Sequence, residues 1–342
     1  MGGWNAPLAL EHWPTRLRGL ASGVLQGGWY WGYILSALAF SCIYPIFSAV
    51  PDPFSEAPGS TLAWRVMFWT GVIPALLVLW IRTGVHESPV WLERQRRLQG
   101  IRRSALEDRV SVMRLFQPDL VWVTIQSSLL ISVFMFSYYS ISFWYPTFLR
   151  ESGVDPLRYL VAFNAGAIAG IALWGQASEG VLGRRGAVTL AALAGVASAP
   201  LFLTTSSTLL LLAGALLMGA TGAGIWGMAP AYLTERFPTA VRGVGPGLSY
   251  HVGAAVGSAT PLVLGQLQDG GMTTGAAMMS CIAVSGLLVS GMIWLGPETP
   301  GRHFLALDEA EAEAEDEDED EGADEGSGAA GHEAAVDTGP AG

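Results

Sequence analysis

Long apolar stretches without any Asp, Glu, Lys or Arg recur along the chain and are separated by polar segments. A helix needs about 20 mostly apolar residues to cross a hydrocarbon layer of about 30 Å. The apolar run Gly186–Thr234 is too long for one helix, and the polar segment Thr204–Thr208 divides it. The pattern predicts an all-α membrane protein with about eight spans, at residues 20–43, 63–85, 120–144, 157–178, 187–204, 208–232, 243–266 and 273–296.

Arginines are sorted to alternate connections between these predicted helices. One set of connections carries 15 of the 18 arginines, whereas the opposite set carries only Arg150 and Arg158, with Arg65 left over near a span end. Positively charged loops remain in the cytoplasm. We therefore expect a multi-pass protein of the cell (plasma or inner) membrane whose C-terminus is cytoplasmic.

The composition of the 342 residues supports a membrane location, because 51% are hydrophobic, 14% are charged and the mean hydropathy is +0.39. Ordinary soluble domains carry roughly 25% charged residues, which argues against a soluble enzyme with a large core. Cys42 and Cys281 lie in apolar runs and indicate neither a disulfide framework nor a metal site. We expect no cofactor and no bound metal.

Two segments outside the apolar runs have a strong charge bias. Residues 87–118 are rich in arginine and predict a basic cytoplasmic linker between helical bundles, or a surface helix against anionic lipid. Nucleic acid is a poor partner for arginines that lie beside membrane spans. Residues 303–342 contain 15 of the 29 acidic residues, and so little apolar sequence predicts a disordered cytoplasmic tail.

A boundary motif occurs twice, at residues 11–19 (EHWPTRLRG) and 235–243 (ERFPTAVRG). Both copies stand on a predicted cytoplasmic loop before a glycine-rich span, and a carboxylate and an arginine on such loops can pair when that side closes. A second pair, Glu87-Ser88-Pro89 and Glu298-Thr299-Pro300, follows two other spans. Duplication of this kind is typical of transporters built from two related bundles with the solute site between them.

These motifs resemble those of the sugar-porter and carboxylate-porter branches of the major facilitator superfamily. The segment from Gly175 to Arg185 also resembles the superfamily's signature loop, although the spacing from Glu179 to Gly183 is one residue longer. The wording of residues 1–4, 20–32 and 64–92 is most similar to bacterial lactate and sialic acid transporters. The resemblance implies gating or motif roles for Glu11, Arg18, Glu87, Glu179, Arg184, Arg185, Glu235, Arg242 and Glu298.

Members of this family have twelve spans, and the first motif copy follows the fourth. The resemblance therefore predicts a major-facilitator-type helical bundle that is N-terminally truncated, with half of family helix four and all of helices five to twelve. Residues 1–86 would be the remainder of the N-terminal bundle, a partial helix plus two spans. Residues 119–302 would form the C-terminal six-helix bundle.

Polar and aromatic side chains within the predicted spans are the candidates for solute contact, because solute pockets combine aromatic walls with a few polar groups. Buried amides also form interhelical hydrogen bonds, and the sequence leaves both roles open. Trp144 and Tyr145 stand at a span end and fit an aromatic belt better. The tentative solute contacts are Gln26, Trp29, Tyr30, Gln126, Tyr138, Tyr139, Asn164 and His251.

No Asp or Glu lies within a predicted span, which leaves His251 as the titratable group there. Its ordinary pKa near 6.5 suits proton linkage, but a packing histidine is the simpler interpretation. Glycines spaced by four residues, which allow helices to approach closely, form a separate pattern. They are Gly23 and Gly27, Gly28 and Gly32, Gly166 and Gly170, and Gly253 and Gly257.

The sequence thus predicts a secondary transporter and no enzyme. The expected cargo is a small organic solute, a carboxylate or sialate-like anion by resemblance, moved by alternating access with protons as a possible coupling ion. A sugar or polyol porter and a non-transporting remnant are the alternatives. An intramembrane enzyme would need a His, Asp, Glu or Cys grouping at span depth, and the sequence offers none.

Overall fold

The computed structural model is almost entirely helical. It describes residues 17–55, 57, 59–84, 112–180, 182–203, 207–238 and 241–299. Residues 18, 19 and 81–84 are described by their backbone only. The predicted tail 303–342 lies outside the described residues, as does the predicted linker 87–118 except for its last seven residues.

Twelve α-helices follow one another along the described part of the chain. They are α1 (Arg18–Phe47), α2 (Ala63–Thr70), α3 (Val72–Gly84), α4 (Val121–Ser142), α5 (Tyr145–Glu151), α6 (Pro156–Ala177), α7 (Gly183–Leu203), α8 (Thr208–Met218), α9 (Ala229–Arg236), α10 (Gly245–Gly257), α11 (Thr260–Asp269) and α12 (Thr274–Met292). A 3-10 turn, Val112–Phe116, precedes α4, and another, Ile293–Leu295, extends α12.

Seven segments of the described chain are long and apolar enough to cross a membrane, which confirms an all-α membrane protein. The predicted span 243–266 does not form one continuous helix, and it is divided into α10 and α11 at Ser258 and Ala259. Pro261 explains the division, because a proline has no N–H and its ring clashes with the carbonyl four residues earlier, here that of Gly257. The Thr260 hydroxyl donates to that carbonyl at 2.7 Å.

The span Thr208–Arg236 is interrupted near its middle by a π-helical turn, Gly219–Ala223, and a 3-10 turn, Gly224–Gly227. We call residues 219–228 the break. Irregular turns release backbone carbonyls from their helical partners, and side chains of other helices bind these. The Trp174 indole N–H donates to the Ala220 carbonyl at 2.8 Å, and the Tyr30 hydroxyl donates to the Ala223 carbonyl at 3.2 Å. The continuous helix expected over 208–232 is therefore two helices joined by the break.

Close backbone contacts join α6 to the break and α4 to α10. A Cβ on Gly170 would collide with the Ala220 carbonyl, and one on Gly219 would collide with the Phe163 carbonyl. A Cβ on Gly257 would lie 2.6 Å from Met135 Cβ. Three of the four predicted glycine pairs thus stand at close contacts, whereas a Cβ on Gly28 or Gly32 would meet no described atom within 4 Å.

The connection between α1 and α2 is organised around Asp52, whose side chain is buried. The Arg65 Nε donates to both carboxylate oxygens at 3.0 and 2.9 Å, and the Phe54 amide donates to Oδ1 at 2.9 Å. Burial raises the pKa of the Asp52 carboxyl, but the Phe54 amide and Arg65 outweigh it, so that the pKa lies below its ordinary value. Arg65, which the sequence analysis assigned to neither set of connections, therefore forms the ion pair with Asp52 of this loop.

Candidate functional site

A small cavity lies between α1, α4, the break and α10, with a volume of about 80 Å³. Aromatic residues form most of its wall, together with one amide and one thioether. The lining residues are Gln26, Trp29, Tyr30, Met135, Tyr138, Tyr139, Trp226 and Tyr250. Five of the eight predicted solute contacts therefore lie together around one cavity, which we call the aromatic cavity.

Trp226 of the break is the centre of the aromatic packing around this cavity. Its ring centroid lies 5.6 Å from that of Phe134, 6.2 Å from Tyr138 and 6.5 Å from Tyr250, in edge-to-face arrangements. Aromatic pairs favour this geometry. The wall of the aromatic cavity is therefore held by rings that pack on one another.

Hydrogen bonds from α1 connect its side chains to the rest of this wall. The Trp29 Nε1 donates to the Tyr138 hydroxyl at 3.0 Å, and the Tyr30 hydroxyl donates to the Ala223 carbonyl of the break. The Trp226 Nε1 is buried and has no hydrogen-bond partner among the described residues. Buried donors in proteins usually have a hydrogen-bond partner, so this indole N–H is an exception within the wall.

A larger cavity of about 260 Å³ adjoins the aromatic cavity and shares Tyr138 and Tyr139 with it. Tyr33 of α1, Tyr145 of α5 and Asn164 of α6 also line it. The Asn164 Nδ2 donates to the Leu160 carbonyl of its own helix at 2.7 Å. Tyr138 and Tyr139 thus stand between the two cavities, and the predicted contact Asn164 belongs to the larger one.

Gln126 and His251 lie outside both cavities. The Gln126 side chain is buried, accepts from Arg236 Nη2 at 3.1 Å and donates to the Met292 carbonyl at 3.3 Å, so it connects α4 to α9 and α12. His251 is exposed on α10, and its ring centroid lies 5.8 Å from that of Tyr250. For Gln126 these contacts correspond to the interhelical role that the sequence left open.

A buried charge cluster joins α7, α9 and the segments beside them. Arg184 is fully buried, and its guanidinium donates to both oxygens of Glu235, at 3.2 and 2.8 Å, and to Glu179 at 2.8 Å. Ser178 accepts from Arg184 Nη1 at 2.6 Å, and the Thr299 hydroxyl donates to Glu235 at 2.7 Å. We call this the Arg184 cluster, and the end of the bundle that carries it the arginine end.

Glu298 binds the start of α7 beside this cluster. Its carboxylate accepts from the backbone amides of Arg184 at 2.7 Å and Arg185 at 3.1 Å, where a helix N-terminus favours negative charge. Arg242 is also buried, and its Nε donates to the Phe237 carbonyl at 3.3 Å. The structure therefore brings together Glu179, Arg184, Arg185, Glu235 and Glu298 among the predicted motif residues.

Three other predicted motif positions have no described side chain. Glu11 and Glu87 lie outside the described residues, and Arg18 begins α1 without a described side chain. The described residues contain no group of three or more His, Cys, Asp or Glu that could hold a metal ion.

The sequence analysis did not select Met135, Trp226 and Tyr250 for the aromatic cavity, or Ser178 and Thr299 for the Arg184 cluster. Trp226 follows Gly222 and Gly224 and precedes Gly227. A tryptophan flanked by glycines inside a span was the signal that could have selected it. Ser178 lies in the segment from Gly175 to Arg185 and Thr299 in the motif Glu298-Thr299-Pro300, but only the fold places them beside Arg184 and Glu235.

A bundle of membrane-spanning helices around an aromatic cavity, with a charge cluster at one end, defines a multi-pass membrane transporter. The sequence profile of the Major Facilitator Superfamily matches residues 5–261. The chain belongs to the major facilitator superfamily. The relatives that it matches are transporters of small organic solutes and not enzymes.

Relatives of known description agree with this membership. The chain is 29% identical over 303 residues to the sialic acid transporter of Escherichia coli, and the alignment covers 86% of this chain and 67% of the relative. It is 27% identical over 298 residues to the cis,cis-muconate transport protein of Acinetobacter baylyi, with 82% and 67% covered.

A solved structure confirms the fold. The proton:xylose symporter XylE, with 6-bromo-6-deoxy-D-glucose bound, superposes with a TM-score of 0.68 at 20% sequence identity. The superposition covers 89% of this chain and 70% of that one. The predicted major-facilitator-type helical bundle is therefore confirmed.

Proposed function

We propose that the chain carries a small organic carboxylate by alternating access, and that the solute crosses together with a proton. The observation that carries this proposal is the neutral, aromatic lining of the cavity beside the break. Among the described residues that line it, Gln26 is the one amide, and the others are aromatic rings and Met135. The relatives named as muconate and sialic acid transporters carry carboxylates, which supports the same class of solute.

The neutral charge of the described lining supports proton coupling. An ionised carboxylate moved into apolar surroundings without a paired cation loses its hydration at a high cost in free energy. A monocarboxylate that takes up one proton enters as a neutral acid and avoids most of that cost, and a dicarboxylate such as muconate would need two protons. His251, exposed one residue from Tyr250 of the lining, is our candidate for exchanging this proton.

A sugar or polyol fits the same lining less well. Each buried hydroxyl left without a partner costs about 1–3 kcal/mol. The hydroxyl of Tyr30 and the indole N–H of Trp29 are already engaged by protein groups, which leaves fewer donors for a polyhydroxylated solute, sialate included. Flat rings such as Trp226 and Tyr138 suit a planar, conjugated acid better, because they offer stacking and edge contacts.

We propose that Gln26, Trp29, Tyr30, Tyr138, Tyr139 and Asn164 contact the solute along the path through the two cavities. Of the two remaining predicted contacts, Gln126 would tie α4 to Arg236 at the arginine end, and His251 would exchange the proton. We further propose that this end faces the cytoplasm of a cell with the protein in its inner membrane, as the sorting of arginines indicates.

The test is uptake of labelled cis,cis-muconate, sialic acid and a hexose into proteoliposomes that contain the full chain. We expect saturable uptake of a carboxylate, driven by a lower external pH and abolished by a protonophore. Hexose uptake would favour the sugar alternative, and no uptake of any solute would favour the non-transporting one. Carboxylate uptake that ignores the proton gradient would remove the coupled proton.

Variants connect uptake to the aromatic cavity. Trp226→Ala and Gln26→Ala should each reduce uptake about tenfold or more. The first removes the central aromatic ring of the lining, and the second removes its amide. Trp122→Ala is the matched control, since Trp122 is 57% exposed and lies outside both cavities. His251→Ala should shift the pH dependence of uptake, and an unchanged pH profile would exclude His251 from the proton path.

A further inference from the structure

The buried side of α1 forms a narrow seam with α6, the break and α9. Ser22, Gly23, Gly27 and Tyr30 are buried along one face of α1. A Cβ on Gly23 would lie 2.7 Å from the Ile171 carbonyl oxygen of α6, and one on Gly227 of the break would lie 2.5 Å from the same atom. The backbones of three segments therefore meet around Ile171, and any movement of α1 must disturb this seam.

The first turn of α9 receives its capping hydrogen bond from α1. The first amides of a helix lack intrahelical partners and need an acceptor. The residue at the N-cap position of α9 is Met228, which supplies no side-chain hydrogen bond, and Pro230 has no N–H. The Ala231 amide instead donates to the Ser22 Oγ at 3.3 Å. Ser22 is fully buried and stands 209 residues away along the chain.

Side chains of α1 thus form hydrogen bonds with the backbone both before and after Trp226 in the sequence. Tyr30 binds the carbonyl of Ala223 before it, and Ser22 binds the amide of Ala231 after it. The last turn of α9 carries Glu235, bound to Arg184, and Arg236, bound to Gln126. The short helix α9 is therefore held at its start by α1 and at its end by the Arg184 cluster, and it joins that cluster to the wall of the aromatic cavity.

We propose that Ser22 is a positioning residue for transport, which caps α9 from α1 and holds the two together when the arginine end of the solute path is closed. This inference rests on the proposed function, because alternating access would separate the two predicted bundles at this end, and α1 belongs to the first bundle and α9 to the second. Separation breaks the bond and leaves the Ala231 amide without its acceptor. The cap therefore biases the chain toward the closed arginine end, without contact between Ser22 and solute.

The experiment is hydrogen–deuterium exchange of the full chain in lipid nanodiscs, followed on the peptide that contains residues 229–236. Ser22→Ala should increase exchange in this peptide about fivefold, as expected for loss of one helix cap. Ser22→Thr retains the hydroxyl acceptor and should restore exchange toward the unaltered value. Should Ser22→Ala fail to fold, Ser22→Cys preserves the volume with a weak acceptor and should show the same increase.

Ser285→Ala is the matched control, because Ser285 is also fully buried and donates to the Ile282 carbonyl within its own helix at 3.2 Å. It should leave exchange of residues 229–236 unchanged. Equal exchange in Ser22→Ala and the unaltered chain would overturn the cap, as would a uniform increase over all helices in both variants. Absence of uptake by the unaltered chain would instead overturn the proposed function, so the two failures are distinguishable.

Discussion

Arg184 shows how a single side chain can organise one end of the protein. Its guanidinium is buried and donates to Glu235, Glu179 and Ser178 in different directions. The planar fork of arginine suits this arrangement, and the compact ammonium of a lysine would not reproduce it. Burial makes the interaction sensitive to loss of either partner, because a buried charge left alone is strongly unfavourable.

Arg184→Ala should therefore lower the free energy of unfolding by about 3–5 kcal/mol, since Glu235 would remain buried without its cation. Thermal unfolding in detergent measures the loss. Arg185→Ala is the control, because its side chain is 24% exposed and its pair with Glu298 spans 3.7 Å, which predicts a loss of about 1 kcal/mol or less. Equal destabilisation by both variants would contradict the distinction.

Asp52 gives a pH dependence with a definite sign. Its pKa is lowered in the folded loop, so its contribution to loop stability is fully present above the ordinary Asp pKa of about 3.9. The contribution is lost as the pH falls through the lower, folded pKa. Amide exchange of residues 50–62, corrected for the intrinsic effect of pH, should therefore increase at acidic pH.

Asp52→Asn should remove this acid-dependent increase and leave the loop less protected at neutral pH, because the amide cannot form the ion pair with Arg65. Asp269→Asn, at the end of α11, is the control and should retain the increase. A loop that responds to acid in the same way with and without the Asp52 carboxylate would refute this account.

At the scale of elements, prolines and glycines decide where helices end and how closely they pack. Pro146, Pro230, Pro246 and Pro261 each stand in the first turn of a helix, where a missing N–H leaves no helical bond unmade. Gly253 and Gly257 let α10 approach α4, with Ile131 and Met135 in the space that a side chain would occupy. The predicted spans 208–232 and 243–266 are consequently assembled from shorter helices than their hydropathy indicates.

Gly257→Leu should disrupt the contact between α4 and α10, since even a Cβ there would lie 2.6 Å from Met135 Cβ and 3.2 Å from the Tyr139 ring. Overpacking of this kind costs about 1–3 kcal/mol or more. Gly265→Leu on α11 is the control, because a Cβ there meets nothing described within 4 Å. Size-exclusion chromatography and thermal unfolding compare the two, and normal assembly of the Gly257 variant would count against this packing.

At the scale of the whole molecule, a membrane of two chemically distinct sides explains the sorting of charge. The Arg184 cluster, Arg236 and Arg242 lie at one end of the described bundle, whereas Asp52, in the connection between α1 and α2, pairs with Arg65 of α2. Arginine-rich ends remain in the cytoplasm. The two ends should therefore face opposite compartments.

Alkaline phosphatase fusions test this orientation, because the enzyme is active only outside the cytoplasm. A fusion after Gly342 should be inactive, and one in the connection at Ser55 should be active. A green fluorescent protein fused at the same positions should give the reverse result. Active phosphatase at the C-terminus would invert the proposed topology.

Much of the fold was predictable because each span must satisfy the same solvent condition independently of its neighbours. The seven described spans coincide with predicted apolar runs, and the duplicated motif carries Glu235, which binds Arg184 in the structure. Five predicted solute contacts line one cavity, since polar and aromatic side chains within a span tend to face other helices and not lipid.

Other features depended on contacts between distant residues. Hydropathy alone does not reveal the break, because its residues remain apolar and the carbonyls of Ala220 and Ala223 find their partners on the distant helices α6 and α1. Gln126 likewise could serve solute or helix, and only the fold shows that Arg236 donates to its side chain.

The sequence by itself determined the position and apolar character of most spans and the sorting of charge, because these follow from hydration of each segment in water or lipid. Its repeated motifs also indicated the family. Tertiary structure alone decided where helices are interrupted, which rings enclose the cavity and which serine caps α9. The physical reason is that hydration acts on every residue locally, whereas packing and hydrogen bonding require two surfaces that only the fold brings together.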